Sequence, residues 1–322
     1  MSARFDFERA LASPRNIPVE SLAALLACAD LGFEAELFAA AREMKRRLGK
    51  DEVLPRGLVE CSNVCAKDCL YCGIRKSNRR VRRYRLSEAE VVAAIEEARR
   101  RGYPAVAFQA GEIEGEENTR YYERLLDHCR GLEVTLSLGE QEEDVYRRWK
   151  EAGALRYLIR IETSNRELYA KIHPAACSFE RRLGCIRTLK KLGYVTGSGV
   201  MIGLPGQTVE DLARDIVFYG EENLDMVGMG PYVPTPGTPL ASACRRERRR
   251  YDLSLRMIAL TRLYLHDVNI VAATALEALD PESGRQRGID AGANVVMPNL
   301  TPVRYRTSYD LYPGKTNLTP ET

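Results

Sequence analysis

The sequence predicts an α/β fold, a (β/α)8 barrel of the TIM type with an N-terminal helical extension. Three observations predict it. From residue 57 onward, short apolar runs rich in β-branched and aromatic residues alternate with helical stretches, the pattern of a parallel sheet with helical crossovers. About eight such units can be counted, the number that closes a barrel. Polar or glycine-rich turns follow the runs at 109–112, 137–140, 160–163, 203–206 and 230–232, and in a barrel such turns gather at the face that carries the active site. An open doubly wound sheet is the competing architecture.

Taken in order, residues 18–48 show apolar positions at helical spacing. Leu22, Leu25 and Leu26 form one run, Gly32 breaks it, and a second helix runs over 33–48. This gives a helical cap over 1–56 ahead of a barrel domain over 57–322. The expected strands are 58–61, 105–109, 133–138, 157–162, 195–202, 225–229, 270–275 and 293–297. Between them, Ser87 with Glu90 forms a capping box that opens a helix to Arg101, with Gly102 as its stop. Further helices are expected over 119–129, 142–152, 179–192, 209–223 and 247–266, several closed by Gly131, Gly153 or Gly193.

Composition narrows the classes of function. The 322 residues carry 48 Lys and Arg against 45 Asp and Glu, a formal net charge of +3. That balance argues against a dedicated nucleic-acid binder. The arginine clusters at 79–85, 99–101 and 245–250 are expected to be solvated loops and helix faces. The charged start has no apolar core of a signal peptide, and no apolar run approaches the ~18 residues of a membrane span. The expectation is therefore a cytoplasmic protein without a membrane or nucleic-acid partner. Nine cysteines in such a chain, four of them between 61 and 72, favour metal binding over disulfides. Cys28, Cys129, Cys177, Cys185 and Cys244 are scattered and are expected as small buried thiols.

Cys65, Cys69 and Cys72 stand as C-x3-C-x2-C directly after the first expected strand. Three thiolates this close suit an iron–sulfur core, and a cube held by three leaves one iron open to another ligand. A structural zinc site is the competing reading, because Cys61 could complete an all-sulfur tetrahedron. Against it, Cys61 falls inside the strand, where successive side chains point to opposite faces. Inert buried thiols are a third reading, at odds with four cysteines in twelve positions.

The C-x3-C-x2-C motif after a first barrel strand, with Tyr71 before its last cysteine, resembles the radical S-adenosylmethionine (SAM) superfamily. The segments 60–65, 69–75, 135–140, 203–208, 225–231, 292–299 and 311–315 resemble the [FeFe]-hydrogenase maturase family HydE, more closely than its biotin synthase and methylornithine synthase relatives. The resemblance implies a [4Fe–4S] cluster on Cys65, Cys69 and Cys72 and reductive cleavage of SAM to a 5′-deoxyadenosyl radical. It implies SAM contacts from Gln109, Gly111 and Glu112, and from Arg160, Glu162 and Arg182. Carboxylates would hold ribose hydroxyls or an ammonium, and an arginine fork would hold a carboxylate. Thr135 and Tyr305 match positions facing the substrate cavity. The family substrate is a small sulfur-containing iron–carbonyl–cyanide–cysteine complex, so the implied partners are that organometallic molecule, other hydrogenase maturases, and a one-electron reductant such as a ferredoxin or flavodoxin.

The chain departs from the HydE pattern at several cavity positions. Ile161 stands where a histidine is expected, Cys61 replaces an aromatic residue, and Ala272-Ala273-Thr274 keeps one threonine of a pair, Thr274. No cysteine follows Cys244, so a C-terminal accessory cluster is not expected. A less polar cavity with an extra thiol would suit a HydE-like enzyme with a different, amino-acid-derived substrate. A non-catalytic iron–sulfur scaffold or electron carrier is the reading from another class, and the polar set expected around SAM argues against it.

Overall fold

The computed structural model describes residues 17–242, 247–309 and 311–315. The strands are β1 (Leu54–Ser62), β2 (Ala105–Ala110), β3 (Glu133–Ser137), β4 (Ala154–Leu158), β5 (Val195–Ser198), β6 (Met201–Ile202), β7 (Met226–Val227), β8 (Gly230–Pro231), β9 (Asn269–Ile270) and β10 (Val295–Val296). Eight of them form one parallel sheet in the order β10-β1-β2-β3-β4-β5-β7-β9. A parallel bridge between Val271 and Val295 joins its two ends, so the sheet is a nearly closed barrel with helices between the strands.

The expected strand over 195–202 is broken in two. After Ser198 the chain meets Gly228 so closely that a Cβ on Gly199 would stand 1.8 Å from the Gly228 carbonyl oxygen. Only glycine permits that approach, and β6 and β8 then continue as a separate parallel pair beyond the bend. The fourth strand also ends earlier than expected, at Leu158, and residues 159–163 form the loop after it. Over 270–275 only the first residues are extended, and Thr274 opens a short helix to Leu279.

The long helices fall where periodicity places them. Ser87 and Glu90 make the reciprocal capping box, with Glu90 Oε2 accepting from the Ser87 N–H at 2.7 Å, a contact of the kind that stabilises by about 1 kcal/mol. The N-terminal helices are Val19–Ala27 and Leu31–Arg47. The break between them lies over 28–30 rather than at Gly32, because Asp30 caps the second helix by accepting from the Phe33 N–H at 2.8 Å. Leu22, Leu25, Leu26, Phe33 and Leu37 belong to the same apolar core as the barrel strands and their helices. The first strand begins at Leu54, ahead of the expected boundary at residue 57. Among the described residues no helix is long and apolar enough to cross a membrane.

Candidate active site

The alternation of β1 builds one wall of the site. Arg56, Leu58 and Glu60 line the barrel cavity, while Val59 and Cys61 join the core between sheet and helices. At the end of β1 the ladder to β2 pairs Glu60 with Gln109 and Ser62 with Ala110, so Cys61 is accommodated at an irregularity. Such a bulge bends the strand and redirects the chain beyond it, here the loop with the three cysteines. Arg83 clips that loop from within, donating to the carbonyls of Asn63, Ile74 and Arg75 at 2.6–2.7 Å. Glu112 N–H donates to Cys65 Sγ at 3.3 Å, and Ala66 N–H to the Glu112 carbonyl at 2.8 Å. The loop is therefore sewn to the end of β2.

Cys65, Cys69 and Cys72 open into one cavity of about 350 Å³ together with Gln109, Gly111, Glu112, Arg160, Glu162 and Arg182. A charged lattice braces its rim. Glu140, fully buried, accepts from Arg182 Nε at 2.6 Å and from Lys67 Nζ at 3.2 Å. Lys67 also pairs with Glu112 at 2.9 Å. Burial pushes the Glu112 carboxyl up, with Arg182 pulling the other way. Burial acts on Glu140 too, but Arg182 and Lys67 outweigh it and hold that carboxyl below its usual range. Arg182 spends Nε on Glu140 and Nη1 on the Arg160 carbonyl at 2.7 Å, whereas its Nη2 stands 3.8 Å from Glu112, beyond hydrogen-bond reach. That corner of the fork faces a site able to take an anionic oxygen. Arg160 pairs with Glu162 at 2.9 Å, and Glu162 holds a left-handed backbone (φ 67°) as the chain turns out of the fourth strand.

Tyr71 is held by a residue that the motif does not contain. Its hydroxyl lies 3.1 Å from His173 Nε2, and His173 Nδ1 lies 3.0 Å from the Tyr169 carbonyl. A carbonyl only accepts, so Nδ1 carries the proton and Nε2 accepts from Tyr71. Burial pushes the imidazole down to about 4, which keeps it neutral at physiological pH.

The residues expected at the site are not all brought together. Thr135 and Thr274 line the cavity, Thr274 Oγ1 lying 2.6 Å from the Tyr312 hydroxyl. Among the described residues the buried Thr135 hydroxyl has no hydrogen-bond partner. Cys61, Ile161 and Tyr305 do not line it, which corrects the cavity set. Cys61 is one residue out of phase with Glu60 along its strand, and Ile161 turns into the core from the loop between Arg160 and Glu162; both are fully buried. Tyr305 lies outside the barrel wall, its ring stacked on Tyr84 at 4.7 Å and its hydroxyl donating to Glu90 at 2.9 Å. Of the five expected turns, 203–206 stays off the cavity, where Gln207 Oε1 accepts from the N–H groups of Gly203 and Leu204. Sequence reasoning missed Lys67, Glu140, His173 and Glu60. Glu60 is buried in the cavity, accepts from Asn299 Nδ2 at 3.1 Å and pairs with Lys315. Cys244 lies outside the described residues.

The donor set fits a multi-atom sulfur-ligated core better than a single ion. Cys61 points away from the other three thiols, which removes the fourth ligand of a zinc tetrahedron. Among the described residues no three thiol, imidazole or carboxylate groups converge as they would on one metal ion. Burial pushes all three cavity thiols up, Cys72 to about 12, so a metal core that binds them must displace their protons. Gly111 leaves the loop no slack, since a Cβ there would stand 2.3 Å from the Val64 carbonyl oxygen and 2.8 Å from Cys65 Cβ.

Comparison with known proteins agrees with this geometry. The profile of the radical SAM superfamily matches residues 59–218. The [FeFe] hydrogenase maturase subunit HydE of Thermotoga maritima is 46% identical over 308 residues, 94% of this chain and 85% of that protein. The 3-methylornithine synthase of Methanosarcina acetivorans is 27% identical over 283 residues, 85% of this chain and 78% of that one. Among solved structures, the crystal structure of methylornithine synthase (PylB) superposes with a TM-score of 0.80 at 23% identity, covering 90% of this chain and 84% of that chain. On the strength of the Thermotoga relative and the superfamily profile, the chain belongs to the radical SAM superfamily, within it to the HydE family, and is a radical SAM enzyme.

Proposed function

We propose that the chain is a HydE-type maturase acting on a small sulfur-containing substrate of the iron–cysteine class, in concert with other hydrogenase maturases. The observation that carries this reading is the 46% identity to HydE along 94% of the chain. The single cavity that gathers the three thiols, a charged rim and an apolar lining supports it. In this reading Cys65, Cys69 and Cys72 hold a [4Fe–4S] cluster, and Gln109, Gly111, Glu112, Arg160, Glu162 and Arg182 hold SAM. When bound, the cluster supplies the electron that cleaves SAM reductively, and a ferredoxin or flavodoxin supplies that electron. The chain's own residues orient and shield. Arg182 Nη2 offers its N–H groups to a carboxylate, while Glu112, paired with Lys67, offers its other oxygen to an ammonium. Thr135 and Thr274 present hydroxyls to the substrate, and Tyr309, Tyr312 and Lys315 close the cavity from the C-terminal side. Excluding water there protects a reactive intermediate from quenching.

Anaerobic reconstitution followed by dithionite should yield 5′-deoxyadenosine from SAM, and Cys69→Ser should abolish it together with the cluster absorbance. The chain should also restore hydrogenase activity to a host lacking HydE. Retained SAM cleavage without restoration would sink the maturase assignment. It would favour a HydE-like enzyme with an amino-acid-derived substrate, a second reading that draws support from the alanines beside Thr274, Ala272 and Ala273, in the cavity wall.

A further inference from the structure

The loop that carries the thiols is strongly basic. Between Cys69 and Leu86 stand Arg75, Lys76, Arg79, Arg80, Arg82, Arg83 and Arg85, with no Asp or Glu, in a chain whose formal net charge is only +3. Three of these cations are committed within the protein. Arg75 pairs with Asp68 at 2.7 Å, Arg83 clips the loop carbonyls, and Arg85 lies 4.1 Å over the Tyr121 ring. Lys76, Arg79, Arg80 and Arg82 are exposed, and among the described residues none of them makes an ion pair.

The four free cations do not sit on slack chain. Lys76 N–H donates to the Lys67 carbonyl at 2.9 Å, Asn78 N–H to Arg75 at 3.0 Å, and Asn78 Nδ2 to Gly73 at 2.7 Å. Like charges held in one ordered loop repel one another, and an acidic partner relieves that repulsion. The same side of the molecule offers apolar points. Val64, beside Cys65, is 37% exposed and Val303 is 73% exposed. The segment that Val303 opens packs on this loop, since Tyr305 stacks on Tyr84 and the Ser308 carbonyl accepts from Asn63 Nδ2 at 2.6 Å. A charged ring with a few apolar points suits a small, transient, electrostatically steered contact.

We propose that Lys76, Arg79, Arg80 and Arg82, with Val64, form the docking surface for a small acidic protein carrying a low-potential one-electron centre. The proposal rests on the reading above that such a protein is the electron source. One electron leaves the carrier, whose centre is oxidised, and passes through the loop to the group held by Cys65, Cys69 and Cys72, which is reduced. No bond forms or breaks in that transfer. Placing the docking surface on the ligand loop itself keeps the path through protein short and leaves the substrate cavity free.

The test uses the full-length, reconstituted chain beside an Arg79→Glu, Arg80→Glu, Arg82→Glu triple variant and its Gln counterpart. Formation of 5′-deoxyadenosine is driven either by dithionite or by a reduced flavodoxin or ferredoxin. Binding of each carrier, and of a short single-stranded RNA, is measured by calorimetry at low and high salt. The expected result is unchanged dithionite-driven cleavage, with carrier-driven cleavage and carrier affinity reduced about tenfold or more in the Glu variant and by less in the Gln variant. Carrier affinity of the parent should fall as salt rises. Full carrier affinity in the Glu variant would overturn the proposal. So would loss of RNA binding with carrier-driven cleavage intact, which would mark a polyanion surface. A parent chain that cleaves SAM with dithionite but neither binds nor is reduced by either carrier would overturn both the surface and the reading beneath it. Absence of dithionite-driven cleavage would fail the enzyme reading alone, and carrier binding would still decide the surface.

Discussion

Gly111 is the residue at which the cysteine loop and the end of β2 touch through backbone alone. A methyl group there would meet the Val64 carbonyl oxygen at 2.3 Å, and neither backbone can yield without moving Cys65. Gly111→Ala should cost about 1–3 kcal/mol as an overpacked site and should displace the first ligand. The expected outcome is a folded protein by circular dichroism whose reconstituted iron content and SAM cleavage both fall severalfold. Full iron content in the variant would show that the loop can relax. The cysteines and the polar strand ends are legible because their chemistry is local. Cys61 reads as a cavity residue although it is out of phase with Leu58 and Glu60, and a period of two leaves no tolerance for a slip of one. Ile161 lies beyond the end of its strand, where no period says which way a side chain turns. Lys67, Glu140 and His173 are not legible, because their roles depend on partners between 42 and 102 residues distant in sequence.

Among the elements, the helix Val209–Glu221 is tied to the loop after the fourth strand by a buried acid. Asp215 is fully buried, and its Oδ1 accepts from both the N–H and the hydroxyl of Ser164 at 2.6 Å. Burial pushes its carboxyl from 3.8 up to about 7, against the pull of the Ser164 hydrogen bonds. Between those values the unfolded chain has released this proton and the folded chain still holds it. The unfolded state then binds fewer protons, so stability falls as pH rises from about 4 to about 7 and levels off above. Roughly three pH units at 1.36 kcal/mol each give a contribution of about 4 kcal/mol. Asp215→Asn keeps an acceptor for Ser164 and cannot ionise. The difference in melting temperature between variant and parent should therefore grow in the variant's favour from pH 5 to pH 8, and a constant difference would refute the buried acid. Element existence is legible wherever amphipathic periodicity runs for three turns or more. Boundaries fail where apolar sequence outlasts the hydrogen-bonded strand, as over 157–162 and 270–275. There tertiary demands end the strand early and send Arg160, Glu162 and Thr274 to the cavity.

At the scale of the whole molecule, the N-terminal helices and the barrel behave as one cooperative body in their packing. Leu22, Leu25, Leu26, Phe33 and Leu37 are buried in the same core as the barrel. Arg256 donates to the Leu26 carbonyl at 2.7 Å and pairs with Glu34 at 3.2 Å, and Lys45 donates to the Ile289 carbonyl at 3.2 Å. Five such side chains at roughly 2 kcal/mol each bring about 10 kcal/mol of burial, which is the scale of a whole domain's net stability. Deleting residues 1–49 would also strip the acceptors from Arg256, which is itself nearly buried, and bare an apolar face wide enough to aggregate. The truncated chain should therefore be insoluble or lack a cooperative thermal transition, and adding the missing segment as a separate peptide should restore folding in part. Light scattering and differential scanning calorimetry on both forms decide it. A soluble, monomeric barrel that melts within a few degrees of the full chain would make the helical extension a separate domain, with the boundary at residue 57 that its sequence suggests. The arithmetic of burial argues for the opposite outcome, because the extension packs on the helices Val209–Glu221 and Glu247–Leu265, and its loss would bare their apolar faces.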